Sequence, residues 1–135
     1  DWSAERVLTG SADKTLRLWD LDVRDSITEL VGHSAVGCVA MDWPSRRALS
    51  GDNTWTVWLW DLESGHAIWQ LAGHTRPVGY VSLDWQSRRG LSGGLFGSLR
   101  LWDLDNGICV REFCGCSFDV SSISVDWESN RLMSG

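Results

Sequence analysis

No run of apolar residues in this 135-residue chain approaches the roughly 20 that a membrane-spanning helix needs. No span is expected. The first residues, "DWSAERVLTG", have neither a basic start nor an apolar core, so no secretory signal is visible. The expected location is the cytoplasm, or an organelle as part of a complex. Positive charge is also scarce: 12 Lys and Arg stand against 18 Asp and Glu, for a net charge of −6. A general nucleic-acid binder needs a basic footprint, so nucleic acid is not an expected partner, although a local basic patch is still compatible. No Gly-rich phosphate loop, metal-ligand pair or non-repeating acid–base cluster occurs. Catalytic, cofactor and metal sites are therefore all expected to be none.

The four cysteines, Cys38, Cys109, Cys114 and Cys116, do not recur at any fixed spacing. They do not form a disulfide framework and are read as reduced thiols. A zinc site from Cys109, Cys114 and Cys116 lacks paired Cys-x-x-Cys spacing. A redox pair at Cys114 and Cys116 is the other alternative.

Repeats are abundant. Asp-Trp pairs begin at 1, 42, 84 and 126, in steps of 41, 42 and 42. A second marker, "LRLWD" or "VWLWD", ends at Asp20, Asp61 and Asp103. Gly-His stands at Gly32-His33 and Gly73-His74, and becomes Gly115-Cys116 one period later. One repeat segment over residues 1–135 follows, divided at 1–41, 42–83, 84–125 and 126–135.

Inside each repeat the apolar period is two, and Gly, Asp, Asn, Ser or Pro bound the runs. That predicts short antiparallel strands joined by tight turns, with no amphipathic helix. The second repeat reads as strand a at Val36–Asp42, b at Arg47–Gly51, c at Thr56–Asp61 and d at Ala67–Leu71. In the a–b hairpins Asp42 faces Arg47, Asp84 faces Arg89, Asp126 faces Arg131 and Asp1 faces Arg6, which predicts a ring of ion pairs. A phosphate-binding arginine ring is the alternative. Arg46 and Arg88 are expected to be solvated.

Gly-His followed 28 or 29 residues later by the Trp of Trp-Asp resembles the WD-repeat β-propeller family. The resemblance implies an all-β fold: about three four-stranded blades of a partial propeller, open unless more chain or another subunit completes it. It further implies a buried structural network, made of Thr9, Asp13 and Trp19 in the first repeat. In the second the members are His33, Ser50 and Trp60, and in the third His74, Ser92 and Trp102. A Ser-His-Asp hydrolase is weighed and set aside, because a Trp donor that recurs repeat by repeat belongs to structure. Where the first repeat has Asp13, the second has Thr54 and the third Phe96, so those networks are expected to be incomplete.

Seven of the ten tryptophans recur with the period (Trp2, Trp43, Trp85, Trp127, Trp19, Trp60 and Trp102) and are expected in the blade core. Trp55, Trp58 and Trp69 do not recur. Together with Leu95 and Phe96 they are the candidate partner contacts. The function implied is a non-catalytic protein–protein interaction scaffold. The alternative is a structural accessory subunit of a large multiprotein complex, in an organelle or elsewhere. An RNA-associated propeller or an enzyme is less favoured. The open ends predict that this segment is not a stable free monomer.

Overall fold

The computed structural model describes residues 5–23, 25–32, 34–113 and 123–134. They form thirteen strands and one short 3-10 turn at Leu95–Gly97. The first sheet is β1 (Arg6–Gly10), β2 (Thr15–Asp20) and β3 (Asp25–Val31). The second is β4 (Val36–Asp42), β5 (Arg47–Asp52), β6 (Val57–Asp61) and β7 (His66–Leu71). The third is β8 (Val78–Asp84), β9 (Arg89–Gly94), β10 (Leu99–Asp103) and β11 (Ile108–Phe113). A hairpin of β12 (Ile123–Asp126) and β13 (Arg131–Ser134) follows. Every sheet is an antiparallel meander in chain order. The fold is all-β and has the architecture of a partial propeller.

The period-two pattern arises because the second and third sheets each pack against two neighbours. On β6, Trp58 and Trp60 point toward the first sheet and pack with Leu16, Leu30 and Ala48. Val57 and Leu59 point the other way, into a cluster with Val78, Val81, Trp102 and Leu104 of the third sheet. Leu91 and Leu99 meet Ile123 of the last hairpin. A sheet apolar on both faces cannot be satisfied alone, and stacking buries both. The fourth strands lie outermost: along β7 only Leu71 is buried.

The a–b hairpins correct one expectation. Asp42 and Arg47 are opposed in register, yet they do not form the ion pair. The Arg47 guanidinium crosses to Asp61 on β6 at 2.8 Å. The Asp42 carboxylate instead accepts the Ser45 N–H at 2.9 Å and closes the turn. In the same way Asp84 and Asp126 accept the N–H groups of Gln86 and Glu128, while Arg89 donates to Asn130 at 2.9 Å. A short carboxylate at the first turn position reaches the turn's own amides, whereas the long arginine stem reaches the next strand. Asp1 lies outside the described residues. Arg88 is not simply solvated either: its guanidinium stacks 4.0 Å over the Trp85 ring. Trp43, Trp85 and Trp127 are half-buried at these turns rather than deep in a core, and Trp2 lies outside the described residues.

Candidate functional site

Diagonal pairs across the b and c strands hold the recurring polar groups. Trp19 donates its indole N–H to Thr9 Oγ1 at 2.8 Å. Trp60 does the same to Ser50 Oγ at 2.9 Å, and Trp102 to Ser92 Oγ at 2.7 Å. In each case the two residues project from the same face of neighbouring strands.

In the third sheet this pair extends to a histidine. His74 Nε2 lies 2.6 Å from Ser92 Oγ, and Nδ1 lies 3.1 Å from Ser98 Oγ. The indole can only donate, so Ser92 Oγ accepts from Trp102, and the same oxygen is hydrogen-bonded to the His74 ring. Burial, with Arg100 nearby, lowers the His74 pKa to about 4, so the ring is neutral near pH 7. Ser98 was not foreseen. It occupies the position of Thr56 and Thr15 one and two repeats earlier, and that recurring hydroxyl was the signal for it.

The second sheet is built differently. His33 lies outside the described residues, and Thr54 stands where Asp13 does. The carboxylate has moved two residues upstream, to Asp52. Asp13 Oδ1 accepts the N–H and hydroxyl of Thr15 at 3.0 and 2.6 Å, which holds its carboxyl below the usual range. Asp52 Oδ1 accepts the same two groups of Thr54, both at 2.8 Å, and the Thr56 N–H at 3.1 Å. Its Oδ2 accepts the Trp58 indole N–H at 3.1 Å. The motif Asp-x-Thr, present as Asp13-Lys14-Thr15 and again as Asp52-Asn53-Thr54, was the legible signal.

The proposed contact residues separate. Trp58 is buried, with its ring 5.9 Å from that of Trp60, so it offers no outer surface here. It takes the place of Arg17, which pairs with Glu29 at 3.1 Å, and of Arg100, which pairs with Glu112 at 2.9 Å. Trp69 is 38% exposed and bridges two sheets by donating to the Leu104 carbonyl at 3.1 Å. Trp55 is 49% exposed, and Leu95 is also exposed. The Phe96 backbone lies in the 3-10 turn; its side chain is outside the described set.

Among the described residues, no group of His, Cys, Asp and Glu is arranged to hold a metal. Cys38 and Cys109 are free thiols, and burial pushes Cys38 up to about 12. Cys114 and Cys116 lie outside the described residues. A groove of about 750 Å³ separates β9–β11 from the last hairpin; Leu91, Phe113 and Val125 line it beside Arg88, Arg111 and Arg131. No described helix is long and apolar enough to cross a membrane.

The family model for the WD domain, G-beta repeat, matches residues 2–20 and 24–61. These matches over residues 2–61 support a WD-repeat family. A search of curated proteins gave no match. WD repeats generally mediate protein interactions, and proteins built from them are generally non-catalytic scaffolds.

Proposed function

We propose that this WD-repeat chain is a non-catalytic protein-interaction scaffold, with Trp55 and Leu95 among its partner contacts. The supporting observation is the division between recurring and non-recurring groups. The Ser-His pair that could suggest hydrolysis is enclosed: Ser92 is fully buried, and its hydroxyl is held by the Trp102 indole N–H and the His74 ring. A nucleophile must reach substrate, and this one reaches only its own sheet. Thr9, Asp13, Trp19, Ser50, Trp60, His74, Ser92 and Trp102 are read as structural; His33 keeps the same assignment by resemblance. Of the groups outside the repeat pattern, Trp55 and Leu95 are turned to solvent and Trp69 partly so, while Trp58 is buried. Incorporation of a photo-crosslinker at position 55 or 95 should capture a discrete protein, and incorporation at position 63 should not. Equal capture from all three positions would overturn the contact assignment.

A second reading, an accessory subunit held within a larger assembly, has its own support. Ile27, Ile68 and Val110 occupy one equivalent position on the outermost strands, and all three are exposed. Such a row suits coverage by neighbouring subunits, with the segment not standing as a free monomer. Sedimentation of the native assembly would separate the two: a stable multi-subunit particle supports this reading, and a free chain with transient partners supports the first.

A further inference from the structure

We propose that Asn106 is a modification site, where the side-chain amide is lost to water and an aspartyl or isoaspartyl residue forms, with Asp103 as the brake on that reaction. The sequence supplies the first observation. The chain holds three asparagines, and only Asn106 is followed by glycine; Thr54 follows Asn53 and Arg131 follows Asn130. All three asparagines are exposed, so access does not distinguish them. The next residue does. Its backbone nitrogen must attack the asparagine side-chain carbonyl carbon, and a side chain there obstructs the approach. Glycine has none. At Asn106 a bond forms between Gly107 N and Asn106 Cγ, and the Cγ–Nδ2 bond breaks. The side-chain nitrogen leaves as ammonia and takes the Gly107 amide proton with it. Water then opens the cyclic imide at either carbonyl carbon. One opening leaves an aspartyl residue; the other leaves an isoaspartyl residue, with an extra methylene in the main chain. Water is the only co-reactant.

The second observation is what restrains this step. Asn106 lies in the c–d turn between β10 and β11. Its Nδ2 donates to Asp103 Oδ2 at 2.7 Å and its N–H to Asp103 Oδ1 at 3.2 Å. The Gly107 N–H donates to the Asp103 backbone carbonyl at 2.9 Å. Attack requires that N–H to be released and the side-chain amide to turn away from the carboxylate. Asp103 thus ties down the nucleophile and the leaving group together.

The third is what conversion would do. Gly107 has φ of +69°, and a Cβ there would lie 2.7 Å from the Trp69 ring. That ring bridges two sheets through its N–H to the Leu104 carbonyl at 3.1 Å. Conversion replaces a donor to Asp103 with a second carboxylate, and Asp105 adds a third that Arg88 approaches at 3.9 Å. Like charges this close repel. An isoaspartyl link also lengthens the main chain under the ring. Both changes loosen the tie between the second and third sheets. The equivalent turn of the second sheet reads Ser64-Gly65 and has no asparagine, so it lacks this reaction.

The test ages the full chain at mildly alkaline pH and maps the products by peptide mass and isoaspartyl-specific methylation. Conversion should occur at Asn106 and not at Asn53 or Asn130. Unfolding in urea should speed it about tenfold, the effect of losing one hydrogen bond to a charged group. Asp103→Ala should give most of that gain in the folded chain and none in urea. Asp103→Asn, which keeps the turn's acceptor oxygen, should fold and give an intermediate rate. Gly107→Ala should suppress conversion even in urea. The Trp69 indole N–H resonance should shift in the converted chain. Equal rates in the folded wild type and both Asp103 variants would remove Asp103 as the brake. Conversion at all three asparagines, or at none in urea, would overturn the site. An unmoved Trp69 resonance would overturn the link to the sheet contact.

Discussion

The second and third sheets share strand order, register and backbone turns, yet they satisfy the same buried turn with different chemistry. The third uses neutral hydroxyls and a neutral imidazole: Trp102, Ser92, His74 and Ser98 in one chain of hydrogen bonds. The second uses a carboxylate: Asp52, 2% exposed, accepts from two backbone amides, one hydroxyl and one indole. What the fold requires is that the donors at the b–c turn find acceptors; it does not require a particular residue to supply them. The exchange of arginine for Trp58 belongs to the same solution, because the indole N–H takes one carboxylate oxygen where the first sheet uses a guanidinium.

The largest expected effect is at Asp52. Asp52→Ala strands four buried or half-buried donors at once, so unfolding should become easier by about 3 kcal/mol in chemical denaturation. A loss below about 1 kcal/mol would mean that water replaces the carboxylate. His74→Ala should cost less, about 2 kcal/mol, since only two hydroxyls lose a partner.

The two sheets should also differ in acid. His74 has a folded-state pKa of about 4 against an ordinary 6.5, because burial disfavours the cation. The unfolded chain therefore binds more protons between these values. The contribution is present above pH 6.5 and is lost as pH falls toward 4, at no more than about 1.4 kcal/mol per pH unit. The stability gap between the wild type and His74→Ala should shrink over that window. A gap that stays constant would place a charged imidazole in the fold.

Much of the fold was legible because the repeat and the period of two report stacking directly. Strand β4 falls at Val36–Asp42 as read, and β5 runs one residue further than expected. The tryptophan–hydroxyl pairs were legible too, since each residue recurs at a fixed spacing. Asp52 was missed although the Asp-x-Thr motif marks it, because alignment by spacing looks for a carboxylate at Thr54, while the turn accepts one displaced by two residues. Ser98 was missed because a carboxylate was sought where a hydroxyl serves. The partners of Arg47 were missed because register fixes the backbone, not where a long side chain ends.

Two glycines sharpen the comparison at smaller scale. Gly65 and Gly107 close equivalent c–d turns, with φ of +76° and +69°. A Cβ at Gly65 would meet only Leu30, at 4.0 Å. At Gly107 it would lie 2.7 Å from the Trp69 ring, which rests on this turn to bridge two sheets. Both alanine variants carry backbone strain of about 1 kcal/mol. Gly107→Ala should cost roughly another 1 kcal/mol, because the ring must shift. Equal melting temperatures for the two variants would show that Trp69 yields freely.

The smallest effect is expected at Trp55, and its sign carries the meaning. Trp55→Gly gives the second turn the residue type that the third has at Gly97. It relieves left-handed strain in the folded chain, where Trp55 has φ of +69°, but loosens the unfolded one, and the two nearly cancel. Stability should change by no more than about 0.5 kcal/mol, in the stabilising direction. A buried tryptophan cannot behave this way: removing the Trp102 ring would empty a core site at a cost of several kcal/mol. If Trp55→Gly unfolds the protein as a core truncation would, the ring is structural and the partner surface lies elsewhere. If stability holds while capture at position 95 is lost, the turn position is one where the sequence gives up ease of folding for recognition.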